Sequence, residues 1–314
     1  MNDDGTNRVR CTPAVCFAAL GALFVAFQGV VFARWIAGGG AHPVPRDYPI
    51  STLRAAQTWA GQVITILLVV LCVVVAWRSS RKAGEITFDT ALIAGYATTF
   101  WISPLANAHG PVAVQNRYAL NLTAWGPYIP GWDGPRTVAM SETLVLAGGL
   151  MYIPLIVWYW IQIRLVKQLL RFRPQWGMAR LTPAVLLLGL LVDIPFEIAL
   201  IAGTAGYGYP FADQTSSLFG GHWYQLPLGA IVAGMFMPSL AALVWTHAQV
   251  TKSRFVIFRG DEQLAPRARG WARLLAGVTL ANISLLLWAL TQISFSKISP
   301  DPMPADFPSW LWPR

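Results

Sequence analysis

Asp193 and Glu197 stand four residues apart in the run Val192-Asp193-Ile194-Pro195-Phe196-Glu197. On a helix that spacing puts both carboxyls on one face. The run around them is apolar, and ionisable groups inside an apolar span are costly enough to mark function by default. Counted from Thr182, Asp193 lies about eleven residues in, ~16 Å at helical rise, near the middle of a bilayer. Two carboxyls this close and poorly solvated do not readily ionise together, so one is suited to donate a proton and the other to accept one. The plainer role for the pair is hydrogen bonding to neighbouring helices or to a buried arginine. Pro195, between them, is expected to kink the helix or loosen its backbone. Asp89 sits near the start of another apolar run and is expected to cap a helix or reach back to the interface.

Two polar-aromatic connectors, 107–141 and 204–225, carry the other candidates. The first follows Ser103-Pro104 and holds Asn107, His109, Gln115-Asn116-Arg117, Asn121, Trp125 and Tyr128-Ile129-Pro130-Gly131-Trp132. Such a segment can fold back and roof a pocket, because irregular backbone is tolerated where protein or a cavity surrounds it. The alternative is an interfacial loop with Trp and Tyr at headgroup level. The second connector holds Tyr207-Gly208-Tyr209-Pro210 and the block from Ser216 to Gln225. It falls on the same side as the first, so His109 and His222 can approach one another. With Glu197 they would make a metal set, but no HxxxH or HExxH spacing is present. Each histidine is therefore expected to be a hydrogen-bonding wall residue, and no metal is expected. Asn121-Leu122-Thr123 fits a glycosylation sequon, a weak pattern. There is no GxGxxG, Walker or DDxxD-like pattern, so nothing points to a nucleotide or a magnesium–diphosphate site. No cofactor is expected.

The elements that must position these groups are transmembrane helices. Of the 314 residues, 55% are hydrophobic and 12% charged, about half the charge of a typical soluble domain; the mean hydropathy is +0.49. Apolar runs lie near 14–33, 57–77, 86–106, 142–163, 182–203, 226–246 and 274–293. They predict an all-α, polytopic membrane bundle of about seven helices, forming a single integral-membrane domain over 1–314. With the N-terminus inside, 16 of the 23 Lys and Arg fall in cytoplasmic segments, which fits an N-in/C-out topology. Both polar connectors then lie outside. The last run contains no Lys, which disfavours a retinal Schiff base. The net charge of +9 reflects juxtamembrane residues such as Arg78, Arg81 and Lys82 and shows no groove-reading stripe, so nucleic acid is not an expected partner. Cys11, Cys16 and Cys72 make no disulfide framework; the last two, in apolar runs, are expected to be packing residues. The tail after Pro300, with five prolines from Pro300 to Pro313, is expected to be irregular.

Pro104-x-x-Asn107, Asn116, Asn121, Trp125 and Tyr128-Ile129-Pro130-Gly131-Trp132 come first along the chain. Asp193-x-x-x-Glu197, Tyr209-Pro210, Ser217-Leu218-Phe219, Gly221 and Tyr224-Gln225-x-Pro227 follow. Together, in this order, they resemble the AveC-type spirocyclase family over roughly two thirds of the chain. The resemblance implies a multi-pass enzyme of actinobacterial polyketide biosynthesis, in the bacterial cytoplasmic membrane, acting without a redox cofactor. It would form a spiroketal from a lipophilic dihydroxy-ketone with loss of water. On that reading Asp193 and Glu197 are the acid–base pair, with Glu197 favoured as the acid. Asn107, Asn116, Asn121, Tyr224 and Gln225 hold substrate oxygens, and Trp125, Tyr209, His109 and His222 line the site. The family pattern carries an Asp before the proline of its first block where this chain has Ser103, a departure that bears on dehydration chemistry. Two other functions use the same equipment or the same fold. One is a protonation-initiated terpene cyclase. The other is a transporter or membrane assembly protein, although only one proline-broken acidic span is visible and no repeated half.

Overall fold

A computed structural model describes residues 12–46, 48–136, 140–296 and 300–312. Cys11 and four residues of the charge map, Arg8, Arg10, Lys297 and Arg314, lie outside them. The protein is 63% helical with almost no sheet, an all-α polytopic architecture. Helix α1 (Pro13–Ala37) starts where the Thr12 hydroxyl accepts from the Val15 N–H and Pro13 occupies the first turn. Helix α2 (Thr52–Ala83) is capped by Ser51 and ends on Gly84 in the left-handed region, with Arg81 and Lys82 in its last turn. Then come α3 (Phe88–Tyr96), α4 (Leu155–Phe172), α5 (Met178–Ile198), α6 (Leu228–Gly234), α7 (Phe236–Thr251) and α8 (Pro266–Ser296).

Among the described residues, six helical stretches are long and apolar enough to cross a membrane: Pro13–Ala37, Thr52–Ala83, Gly149–Phe172, Met178–Gly203, Leu228–Thr251 and Pro266–Phe295. The third apolar run is helical but broken. It is α3 followed by a 3-10 segment, Phe100–Asn107, because Pro104 offers no N–H and disfavours α geometry at Ser103. The fourth run starts later than its hydropathy implies. Ser141–Thr143 is a strand, Gly149 has φ 52° and Pro154 precedes the α-helix at Leu155.

Helix α8 is the spine, packed against α1, α3, α6 and α7. Glycines permit the closest approaches: a Cβ on Gly277 would sit 2.0 Å from the Ala91 carbonyl oxygen, and one on Gly95 2.3 Å from that of Gly277. By contrast α1 and α2 leave large apolar side chains uncovered, with Leu23 66% and Leu67 63% exposed. Cys72 is buried in the core as expected, whereas Cys16 lies on the exposed side of α1, which has few neighbours there to pack against it.

The connectors build a cap at the C-terminal end of α8. Three short antiparallel pairs form it. Strand β1 (Val114–Gln115) pairs with β4 (Tyr207–Gly208), β2 (Asn121–Thr123) with β3 (Ser141–Thr143), and β5 (Ser217–Leu218) with β6 (Leu226–Pro227). The tail is irregular but not loose: Phe307, Trp310 and Leu311 are buried with Val114, Met140 and Ala205. At the other end of α8, Arg273 pairs with Asp261 and with Glu85 (2.8 Å), and Arg254 pairs with Asp261 (3.1 Å).

Candidate active site

Helix α5 carries Asp193 and Glu197 inward. The helix runs on through Pro195 and widens after Ile198 into a π-turn, Ala199–Gly203. That turn brings β4 back over the end of the helix, and the Tyr207 hydroxyl donates to Glu197 Oε2. Across the β1–β4 pair, Tyr207 stands opposite Gln115, so their side chains share one face. Gln115 Nε2 donates to Glu142 Oε2 (2.6 Å) and to Ser103 Oγ (3.0 Å). Its carbonyl oxygen accepts from the Thr143 N–H and hydroxyl, both at 2.7 Å. The Ser103 hydroxyl also donates to Glu142. Ser103, Gln115, Tyr152, Glu197, Tyr207 and Tyr209 line the polar side of a small chamber of about 50 Å³. Tyr152 is within electrostatic reach of both Glu142 and Glu197.

Glu142 is fully buried, and desolvation pushes its carboxyl from 4.5 up to about 7 against the opposing hydrogen bonds from Ser103 and Gln115. Burial, reinforced by the nearby Glu197, holds the Tyr207 phenol well above its ordinary range, so it remains a neutral donor. Asp193 lies one turn before Glu197, fully buried against Gly234, and among the described residues neither of its carboxyl oxygens has a hydrogen-bond partner. Among the described residues neither Asp193 nor Glu197 forms an ion pair. Both are thus buried and, among the described residues, not neutralised by a guanidinium, and Glu197 lines the chamber. Asp89 stands in the first turn of α3 behind the Thr87 cap and accepts from Trp160 (2.9 Å).

Other expected site residues separate by environment. Asn107 closes its own loop, accepting from the Val112 N–H (2.7 Å) and donating to the Ala113 carbonyl (2.9 Å). Asn116 donates to the Thr58 hydroxyl and the Ala205 carbonyl, while Asn121 accepts from Val44 and donates to the Arg117 carbonyl. These amides brace the cap. Trp125 is buried against Phe32 and Trp35. Gln225 donates to the Tyr209 carbonyl (2.8 Å), and Tyr224 stacks on His222, which reaches Asp306 at 3.4 Å. His109 lines a second, larger pocket away from His222. Tyr209 lines both cavities. Among the described residues no three His, Cys, Asp or Glu side chains converge as a metal set.

Glu142 and Tyr152, which the sequence reading passes over, and Gln115 and Tyr207, which it names within the connectors without a role, are drawn to the same place. The signal for Glu142 was an acid at the head of an apolar run with Gly148-Gly149 and Pro154 behind it, a stretch unfit for helix interior.

No curated protein and no solved structure matches the chain. The family model described as "Spirocyclase AveC-like" matches residues 84–310, which takes in α3 to α8, the cap and every chamber residue named above. On that match the chain belongs to the AveC-like spirocyclase family, and with it to the cyclases of polyketide biosynthesis.

Proposed function

We propose that this protein is a membrane-embedded, cofactor-independent acid–base cyclase that closes a dihydroxy-ketone of polyketide origin to a spiroketal with loss of one water. The observation that carries this reading is the Glu197 carboxyl at a buried chamber, engaged by a neutral phenol and by no cation. One substrate hydroxyl adds to the ketone and gives a hemiketal. Glu197 protonates the hemiketal hydroxyl, which departs as water and leaves an oxocarbenium ion. The second hydroxyl attacks that carbon, and its proton passes to a carboxylate, so acid and base are both restored. Asp193, one turn behind, shares the proton with Glu197. Glu142, across the chamber, takes up the proton of the attacking hydroxyl through Ser103 and passes it back to the Glu197 carboxylate through the released water, which resets both groups. Trp158 and the tyrosines wall the cation. Spiroketals also close unaided, so orientation and stereochemical control are much of the enzyme's work.

Asn107, Asn116, Asn121, Tyr224 and Gln225 serve the substrate by holding the roof and its polar edge in place. The exposed apolar faces of α1 and α2 lie against lipid, in a bacterial cytoplasmic membrane, with the N-terminus inside, the cap outside and the whole chain acting as one domain. The test is product analysis with purified protein in lipid nanodiscs. The substrate is a straight-chain ketone with a hydroxyl four carbons away on either side. The expected result is a spiroketal enriched in one enantiomer and formed faster than in protein-free nanodiscs. A racemic product at the background rate, together with a cyclised product from a polyprenyl substrate, would transfer the same acids to terpene cyclisation.

A further inference from the structure

The inner chamber is too small for the molecule it is meant to transform. About 50 Å³ has room for one or two waters, not for a carbon chain bearing a ketone and two hydroxyls. Next to it lies a pocket of about 760 Å³, within the ~300–1,000 Å³ of ordinary small-molecule sites. Among the described residues, Tyr209 is the one that lines both. The partition continues on either side of it: Val112 faces the pocket and Ala113 the chamber, and on α8 Gln292 faces the pocket and Trp288, one turn earlier, the chamber. Gln292 Nε2 donates to the Tyr209 hydroxyl (3.2 Å), and Gln225 pins the Tyr209 main chain. The backbone of the partition is therefore held, and passage is controlled by one ring and one amide.

We propose that the outer pocket binds the unreacting chain of the substrate, and that Tyr209 is the threshold at which the reacting segment stops, with only the departing hydroxyl reaching into the chamber. This rests on the cyclase reading above. The lining names the chemistry of the occupant. Val112, Phe211, Ala212, Leu228, Ala230 and Phe295 make it apolar, and its charged members are Asp213 and Asp301, with no Lys or Arg among its described residues. Such a pocket repels carboxylates and phosphates and accepts a neutral lipophilic chain. Length selectivity then belongs to the pocket, and the chemical step to the chamber.

The experiment compares two ketones on full-length protein in nanodiscs: the short dihydroxy-ketone, and the same ketone with a long alkyl tail ending in a diazirine. Ala212 lines the pocket and not the chamber that holds Glu197, so Ala212→Trp fills the pocket. The variant is expected to raise KM for the tailed ketone at least tenfold with kcat little changed, and to leave the short ketone unaffected. Irradiation of wild type with the tailed ketone is expected to label peptides containing Val112, Phe211 or Phe295. Equal effects on both ketones, or label confined to the exposed faces of α1 and α2, overturn the proposal. The label reads the pocket even where the variant fails to fold. If wild type makes no spiroketal from either ketone, the cyclase reading falls, while the position of the label still decides the pocket.

Discussion

At the scale of residues, chemistry depends on which carboxyls are left without a cation. Among the described residues, Glu197 is met by Tyr207 and Asp193 by no hydrogen-bond donor, whereas Asp261 at the other end is consumed by two arginines. Removing the phenol with Tyr207→Phe deletes the donor to Glu197 while keeping the ring. Loss of such a bond corresponds to roughly a tenfold fall in kcat, with folding preserved in thermal scans. Glu142 makes a prediction about pH. Its folded value of about 7 exceeds the ordinary 4.5, so the folded state holds this proton longer. The stability it contributes is fully present below about 4.5 and is lost as pH rises through about 7, on the order of 3 kcal/mol in all. Melting temperature should fall across that window in wild type and fall less in Glu142→Gln; parallel curves would refute the assignment. The Asp193–Glu197 pair is legible in the sequence because helical period alone brings residues four apart together. Glu142 is not, because its place depends on a strand pairing with Asn121–Thr123 and on Gln115 reaching across from another strand.

At the scale of elements, hydropathy locates the apolar runs, since each must bury or face apolar surface throughout its length. It does not locate their breaks. Pro104 turns the third run into a 3-10 segment, Met235 separates α6 from α7, and α5 opens into its π-turn right after Glu197. Two of these breaks adjoin the carboxyls: Gly234, at the end of α6, abuts Asp193, and the π-turn directs the chain back to Tyr207. The α3–α8 crossing depends on Gly277, whose Cβ would collide with backbone at Ala91. Gly277→Leu should therefore force the helices apart and destabilise the protein by at least ~1–3 kcal/mol, read as a lowered midpoint of thermal unfolding in detergent. A substitution of equal size on the uncovered face of α1, Gly29→Leu, should leave that midpoint nearly unchanged.

At the scale of the whole molecule, the bundle supplies two acids, and the cap supplies the third acid, the Tyr207 and Tyr209 phenols and, with Gln292 of α8, the partition. The tail secures the cap through Phe307, Trp310 and Leu311. Composition identified the tail's irregular backbone but not its burial, because proline content speaks to backbone geometry and not to what the aromatic residues cover. Truncation before Pro300 should expose this cluster and abolish catalysis while helix content measured by circular dichroism stays close to wild type. The central claim is that Glu197 delivers the proton in ring closure. It is tested most directly by the spiroketal-forming rate and enantiomeric ratio of Glu197→Gln against wild type, in the same nanodiscs and with the same dihydroxy-ketone. The rate above background should fall by roughly 10²–10⁴-fold, and the product should return to the racemic mixture of the unaided reaction. A variant that keeps both wild-type rate and wild-type handedness would contradict the account.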